Sequence, residues 1–534
     1  MVSLRPRTGP IGDARTGAPT THKASGTRNP ERPILFACAI VGLLFALLAV
    51  LERMGVERRI LGALAVALPV LAVAALAVLG RTIDRLPFAV DGARGGSLAN
   101  GLALGAEWMG VWIVPAIVLL PSGAVVAMAS PTFAAALLGP ALGIVVLTLG
   151  VAGAMRRAGA LTAPAFLAWR TGSRVARLSL LPAALLATGG LVAFQTMLLH
   201  ALLVPFVGGG AGTMLAVMTA LAAIVCLVGG QRSLTLVNAF LAFFLALAVV
   251  VPALAAIAGM DGLTPALPLD RAFAGALPHA GGRAGLVDAM ATLVALGLAV
   301  AALPVTIARL APVRPGALDR AGAWTMLLAY VTVTAATLAF ARAALAPGLA
   351  VAPSGETSIL GVLPALGWLG AVWAGLAVSL FASAALLGGD LRWRAPYAPP
   401  WMDTAGLARM RLVFITVTIG AAVWTFAGSS ERLAPWIGVD EAAFALKIAI
   451  VAGCGALAPA LGAATFWRHP TWLGFAAGQA AFAAVVASGF AFDAVPLALV
   501  AAAANLVAIV VGSIVTPRRW RPSPAHVLAL RDPR

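Results

Sequence analysis

The chain has 534 residues, of which 61% are hydrophobic and only 10% charged, with a formal net charge of +17. A soluble domain carries about 25% charged and about 45–50% apolar residues, so this balance excludes an ordinary soluble protein and indicates a polytopic membrane protein. The basic residues lie in short loops and at the two ends without interleaved aromatics, which argues against nucleic acid and for topology signals.

Residues 1–32 are polar, basic and rich in Gly, Thr and Pro, and read as a disordered cytoplasmic tail; the apolar run that follows lacks a secretory cleavage site. Apolar runs of bilayer-spanning length (~20 residues each) then recur about 14 times. Their approximate limits are 34–52, 60–79, 97–120, 132–154, 178–204, 212–229, 234–258, 285–308, 322–345, 358–388, 410–428, 441–466, 472–491 and 495–516. None shows the alternation of barrel strands, so all read as helices. The chain divides into an N-terminal transmembrane hairpin (33–80), a core (85–470), a C-terminal transmembrane hairpin (471–516) and a basic cytoplasmic tail (517–534).

Arginine-bearing loops alternate with loops nearly free of bases. Arg81, Arg85 and Arg94 precede the third span, and Arg156, Arg157, Arg170, Arg174 and Arg177 fill a later loop. Arg232, then Arg309, Arg314 and Arg320, then Arg392, Arg394 and Arg409, then Arg468 follow in step. By the positive-inside rule both termini are cytoplasmic. Arg53, Arg58 and Arg59 fall on the outer side in this scheme and are the exception. Cys38, Cys226 and Cys454 lie far apart in apolar runs, without metal-ligand spacing, and read as small hydrophobes.

The third span holds Glu107, beside Trp108 and Trp112, in a run punctuated by Gly101, Gly105 and Gly110 and ending at Pro115. A carboxylate near the centre of a membrane helix costs about 2.5–3.5 kcal/mol. It therefore needs a partner, a water-filled cavity or a function such as proton or cation coupling. Trp108 and Trp112 share a helical face and either line a cavity or face lipid. Gln195, in the fifth span, hydrogen-bonds either across helices or to a substrate.

Pro304 interrupts the eighth span by removing a backbone hydrogen bond. Broken helices at corresponding positions of two halves mark a transporter binding site. Counting from the third span to the eighth gives two inverted five-helix units, and the N-terminal ends of the half-helices favour an anionic group. Ser379 and Ser383 share one face of the tenth span. Lys447 either snorkels to the outer face or meets a substrate carboxylate. The chain carries no Walker motif, His/Cys cluster or nucleophile constellation, so it does not read as an enzyme.

The stretches Phe88-Ala-Val-Asp-Gly-Ala-Arg94 with Asn100 to Glu107, Arg156 to Arg174, Leu227 to Thr235, Leu303-Pro304-Val-Thr-Ile-Ala-Arg309 and Leu386-Leu-Gly-Gly-Asp390 follow one another along the chain. Together, and in that order, they resemble the sodium:solute symporter family in its cation–acetate permease branch. The resemblance implies a leucine-transporter-type 5+5 inverted-repeat core in an all-α membrane protein. It also implies a symporter in a bacterial inner membrane that moves a small organic solute, a short monocarboxylate such as acetate, coupled to sodium or protons. Glu107 stands where relatives often place an aspartate. Ala374 and Gly375 stand where sodium-coupled relatives carry adjacent hydroxyls, which leaves backbone carbonyls as ligands. The pathway expected from these readings comprises Glu107, Trp108, Trp112, Gln195, Pro304, Ser379 and Ser383. The alternative is a degenerate homologue acting as a sensor or accessory subunit without transport.

Overall fold

The computed structural model describes residues 31–82, 88, 96–113, 131–158, 160–207, 210–257, 286–310, 313, 317–318, 320–331, 359–390, 408–417, 419–420, 439–489 and 493–517. Most of the N-terminal tail, Pro115, the ninth expected span beyond 331, the eleventh beyond 420 and the C-terminal tail from 518 lie outside them.

Every element with assigned bounds is helical: α1 Glu31–Arg53, α2 Arg58–Leu79, α3 Ser97–Trp108, α4 Pro131–Val146, α5 Ala163–Thr171, α6 Arg174–Val207, α7 Ala211–Gly229, α8 Gln231–Ile257, α9 Leu286–Ala302, α10 Pro304–Leu310, α11 Ile359–Ala385, α12 Val439–Ile450, α13 Trp472–Gly489 and α14 Ala494–Val515. Among the described residues nine helices are long and apolar enough to cross a membrane, or ten if α9 and α10 form one bent span. Stretches 320–331 and 408–417 are also helical.

Burial orders these helices around α11. In the apolar window of the span containing it, 94% of residues are buried, against 28% for α1, α2 and α14. The outer helices present large apolar side chains such as Phe36, Leu43 and Val507 at their exposed faces. On a polytopic membrane protein such a surface faces acyl chains rather than water.

Small residues let the inner helices approach closely, where packing replaces the absent hydrophobic drive. A Cβ on Gly143 of α4 would lie 2.5 Å from the carbonyl of Gly297 on α9, so these helices touch backbone to backbone. Gly101 of α3 meets Trp324 and Ala321 in the same way, and Thr325 donates to the Gly101 carbonyl at 3.0 Å. Gly230 separates α7 from α8 at φ +56, a left-handed turn that suits glycine, and a side chain there would strike Phe88.

Four helices lose their regular α pitch. α3 runs into a π segment, Met109–Ile113; α4 into Leu147–Val151; α11 into Leu386–Asp390; and α12 into Val451–Leu457 before resuming at Ala458–Phe466. π turns are uncommon and concentrate at functional sites. They leave carbonyls short of donors. For α12, Asn505 of α14 supplies its amide to Gly455 and Ala456 at 2.9 and 3.1 Å, and Gln479 of α13 reaches Ala456 at 3.3 Å. The C-terminal hairpin is thereby tied to the core.

The loop expected between 156 and 177 contains the short helix α5, capped by Thr162, whose hydroxyl accepts from Ala165 and donates to Asp390 at 2.6 Å. Arg170 on α5, grouped in sequence with the topology-setting arginines, is 1% exposed. Its guanidinium donates to the carbonyls of Ala464, Trp467 and Arg468, each at 3.1 Å, at the end of the span that α12 begins. It closes a helix C-terminus, where carbonyls lack intrahelical donors and positive charge is favoured. Hydrogen bonds to a charged group contribute about 1.5–3 kcal/mol each. Purified Arg170→Met, which keeps the apolar stem, is therefore expected to melt about 5 °C or more below wild type in the same detergent; an unchanged melting temperature contradicts the assignment.

Candidate functional site

The span begun by α9 breaks where Pro304 follows Leu303. Proline has no N–H, so the helix cannot continue its ladder there, and α10 leaves at 54° to α9. The bend turns the last residues of α10 inward. Arg309, which the sequence placed among the loop bases, is 2% exposed.

Its partner is Glu107, 3% exposed on α3. Arg309 Nε lies 2.8 Å from the Glu107 carboxylate. Asn238 of α8 donates to Glu107 Oε1 at 2.5 Å. Arg309 Nη1 donates to Gln231 Oε1 at 2.5 Å and to Thr235 Oγ1 at 3.3 Å, both on α8. Gln231 in turn donates to the Ala308 carbonyl at 3.3 Å. Gln231, Thr235 and Asn238 are spaced i, i+4, i+7 and so share one helical face. The acid is thus compensated by a guanidinium, and the ion pair is held by a polar stripe on a third helix.

Beside this network lies a small, partly open cleft of about 20 Å³, room for about one water molecule. Its walls include Glu107, Trp108 and Trp112 from α3 and its π segment, Val305 and Thr306 from α10, and Val378 from α11. The wall is mostly apolar with a few polar groups, the make-up though not the size of a small-molecule site. Trp108 Nε1 and Arg309 Nη2 are buried donors without a partner among the described residues.

The structure brings Glu107, Trp108 and Trp112 to one cleft, with Pro304 at the hinge that forms its far side. Gln195 lies behind it: its amide reaches the Gly110 carbonyl at 3.5 Å, and it lines no part of the cleft. Ser379 and Ser383 stand apart from the cleft, their hydroxyls donating back to the Gly375 and Ser379 carbonyls at 2.8 and 2.9 Å. Arg309, Gln231, Thr235 and Asn238 were not foreseen. The polar spacing along α8 was the available signal.

No protein-family model and no curated protein matches the chain. Among solved structures it is similar to a Na+-coupled sialic acid symporter in a substrate-bound, outward-open state. The TM-score is 0.62 over 85% of this chain and 98% of that one, at 15% sequence identity. The chain has the leucine-transporter-type fold. The cleft lies between α3 and α10, with α11 at its side.

Breaking a buried pair by removing one partner costs about 3–5 kcal/mol, because the other charge is left uncompensated. Glu107→Gln and Arg309→Met are each expected to lower the melting temperature sharply, and the double variant to recover much of the loss. Additive losses in this cycle contradict a direct pair.

Proposed function

We propose that the chain is a secondary active transporter that moves a small organic solute by alternating access. Residues 85–470 form its inverted-repeat core, flanked by the two hairpins, and it resides in a bacterial inner membrane with both termini cytoplasmic. The observation that carries this reading is the cleft between the broken α9–α10 pair and the irregular end of α3, walled on one side by a charge-compensated Glu107. Apolar walls with few polar contacts suit a small solute. The unpartnered indole N–H of Trp108 offers a donor to an acceptor oxygen of the solute, and a short monocarboxylate such as acetate is the cargo that the family resemblance implies. The coupling ion is sodium or a proton. The similar sialic acid symporter is Na+-coupled, which supports sodium. A proton route through Glu107 requires the Arg309 pair to open during the cycle.

Uptake of labelled acetate into proteoliposomes tests the reading. Accumulation driven by an inward sodium or proton gradient is expected; uptake indifferent to both gradients contradicts symport, and binding without uptake favours an accessory or sensing subunit. Trp108→Phe keeps the ring and removes the donor. A net hydrogen bond contributes about 0.5–1.5 kcal/mol, so KM is expected to rise about two- to tenfold with the variant still folded.

A further inference from the structure

Arg309 holds Glu107 by one nitrogen. Its Nε lies 2.8 Å from the carboxylate, and Nη1 is spent on Gln231 and Thr235. Nη2 is buried without a partner among the described residues. An unpaired donor on a buried charge is costly, so it calls for an explanation. Nε and Nη2 together form an edge of the guanidinium that a carboxylate can engage with two parallel bonds. Glu107 occupies half of that edge. Val305 and Thr306, which wall the cleft, precede Arg309 by four and three residues and so share its face of α10. A second buried donor without a partner, Trp108 Nε1, belongs to the α3 wall.

The pair also spans the cleft, with Glu107 on α3 and Arg309 on α10. The cleft holds about one water, so a solute enters only when those walls part. Parting them draws the two charges from each other, and neither is tolerated alone at that depth. Arg309 then needs an anion and Glu107 a cation. A metal cation gathers several oxygen ligands, and no group of three or more His, Cys, Asp or Glu side chains able to hold one occurs among the described residues. A proton needs a single oxygen. Glu107 is faced by the charge of Arg309 from α10, by the amide of Asn238 from α8 and by the thiol of Cys226 from α7, while α11 brings only apolar Val378 to the cleft. Asn238 serves either form of the acid: it now donates to the carboxylate at 2.5 Å, and its oxygen, buried without a donor, can accept from a carboxylic acid once the amide turns over.

We propose that the carboxylate of the solute takes Arg309 from Glu107, and that Glu107 takes up one proton in exchange. The Nε–Nη2 edge of Arg309 grips the solute from α10, and the Trp108 indole N–H meets it from α3. The covalent change is one O–H bond, formed on the Glu107 carboxylate with a proton from solvent and broken again when the solute leaves and the ion pair closes. Charge decides the stoichiometry: a neutral pair that gains one anion and one proton stays neutral. The substrate class is then the small monocarboxylates, since an uncharged alcohol or amide of the same size offers Arg309 no replacement for Glu107. The coupling ion is the proton. The inference rests on the transporter reading for the word coupling, while the exchange of partners stands on the spare guanidinium nitrogen and on the pair's place across the cleft.

The test is acetate binding by the purified full chain in detergent, with choline as the counter-ion and no sodium. Labelled acetate bound at equilibrium is compared with protons taken up, read by a pH dye in weakly buffered solution. About one proton per acetate is expected, with affinity rising about tenfold for each pH unit lowered near neutrality. Methanesulfonate, which stays anionic at these pH values, is expected to draw in a proton as well; this sets the proton on the protein and needs no variant. Glu107→Gln, a neutral stand-in for the protonated acid, is expected to bind acetate without proton uptake, and Glu107→Gln with Arg309→Met to bind none. Acetate bound without proton uptake, or only when sodium replaces choline, overturns the exchange and leaves the transport reading standing. A Glu107→Gln protein that still takes up one proton per acetate overturns it too. Absence of carboxylate binding together with absence of any gradient-driven uptake overturns both.

Discussion

The ion pair between Glu107 and Arg309 is the constraint around which the inner helices are arranged. Neither charge is tolerable alone at that depth, and together they must also satisfy their remaining donors and acceptors. Three helices contribute: α3 the acid, α10 the base, and α8 the amide and hydroxyl groups that hold them in register. The break before Pro304 is what makes this possible. A straight continuation of α9 would carry Arg309 on towards the membrane surface; the 54° bend brings it into the core. The same bend opens the space between α10 and α3 that becomes the cleft.

Irregular backbone within a membrane survives only where protein groups or a cavity satisfy it. The π segments illustrate this in two ways. That of α12 is answered by Asn505 and Gln479, so its Gly455 and Ala456 carbonyls are occupied and the hairpin α13–α14 serves as a brace. Among the described residues that of α3 is answered by the long contact from Gln195, and it borders the cleft. The first is structural. The second combines irregular backbone, an unsatisfied oxygen and an accessible space, which is the combination expected of a working site.

The break at Pro304 and the acid were legible in the sequence for local reasons. Pro304 has no N–H whatever surrounds it, and Glu107 is out of place in any apolar run. The apolar runs likewise marked helices, since each must satisfy its own backbone in lipid. What was not legible depended on which helix meets which. Arg309 stands at the end of an apolar run, where a topology signal and a buried partner look alike, and Arg170 was grouped with loop bases for the same reason. Gln231, Thr235 and Asn238 form a visible stripe, but a stripe does not name its partner. Ser379 and Ser383 share a helical face, as their spacing implied, and each hydroxyl donates to a carbonyl of its own helix while keeping its lone pairs.

The central claim is that the cleft between α3, α10 and α11 is the solute pathway, opened in turn to each side of the membrane. Thr306, which lines it, provides the direct measurement. Cys38, Cys226 and Cys454 are buried and free and can be replaced by alanine, leaving Thr306→Cys as the single thiol. Labelling of that thiol by a membrane-impermeant maleimide is then followed from each face of oriented vesicles. Alternating access predicts labelling that depends on side and ion gradient and is slowed by transported solute. A thiol that reacts at one unchanging rate, or from neither face under any condition, contradicts it.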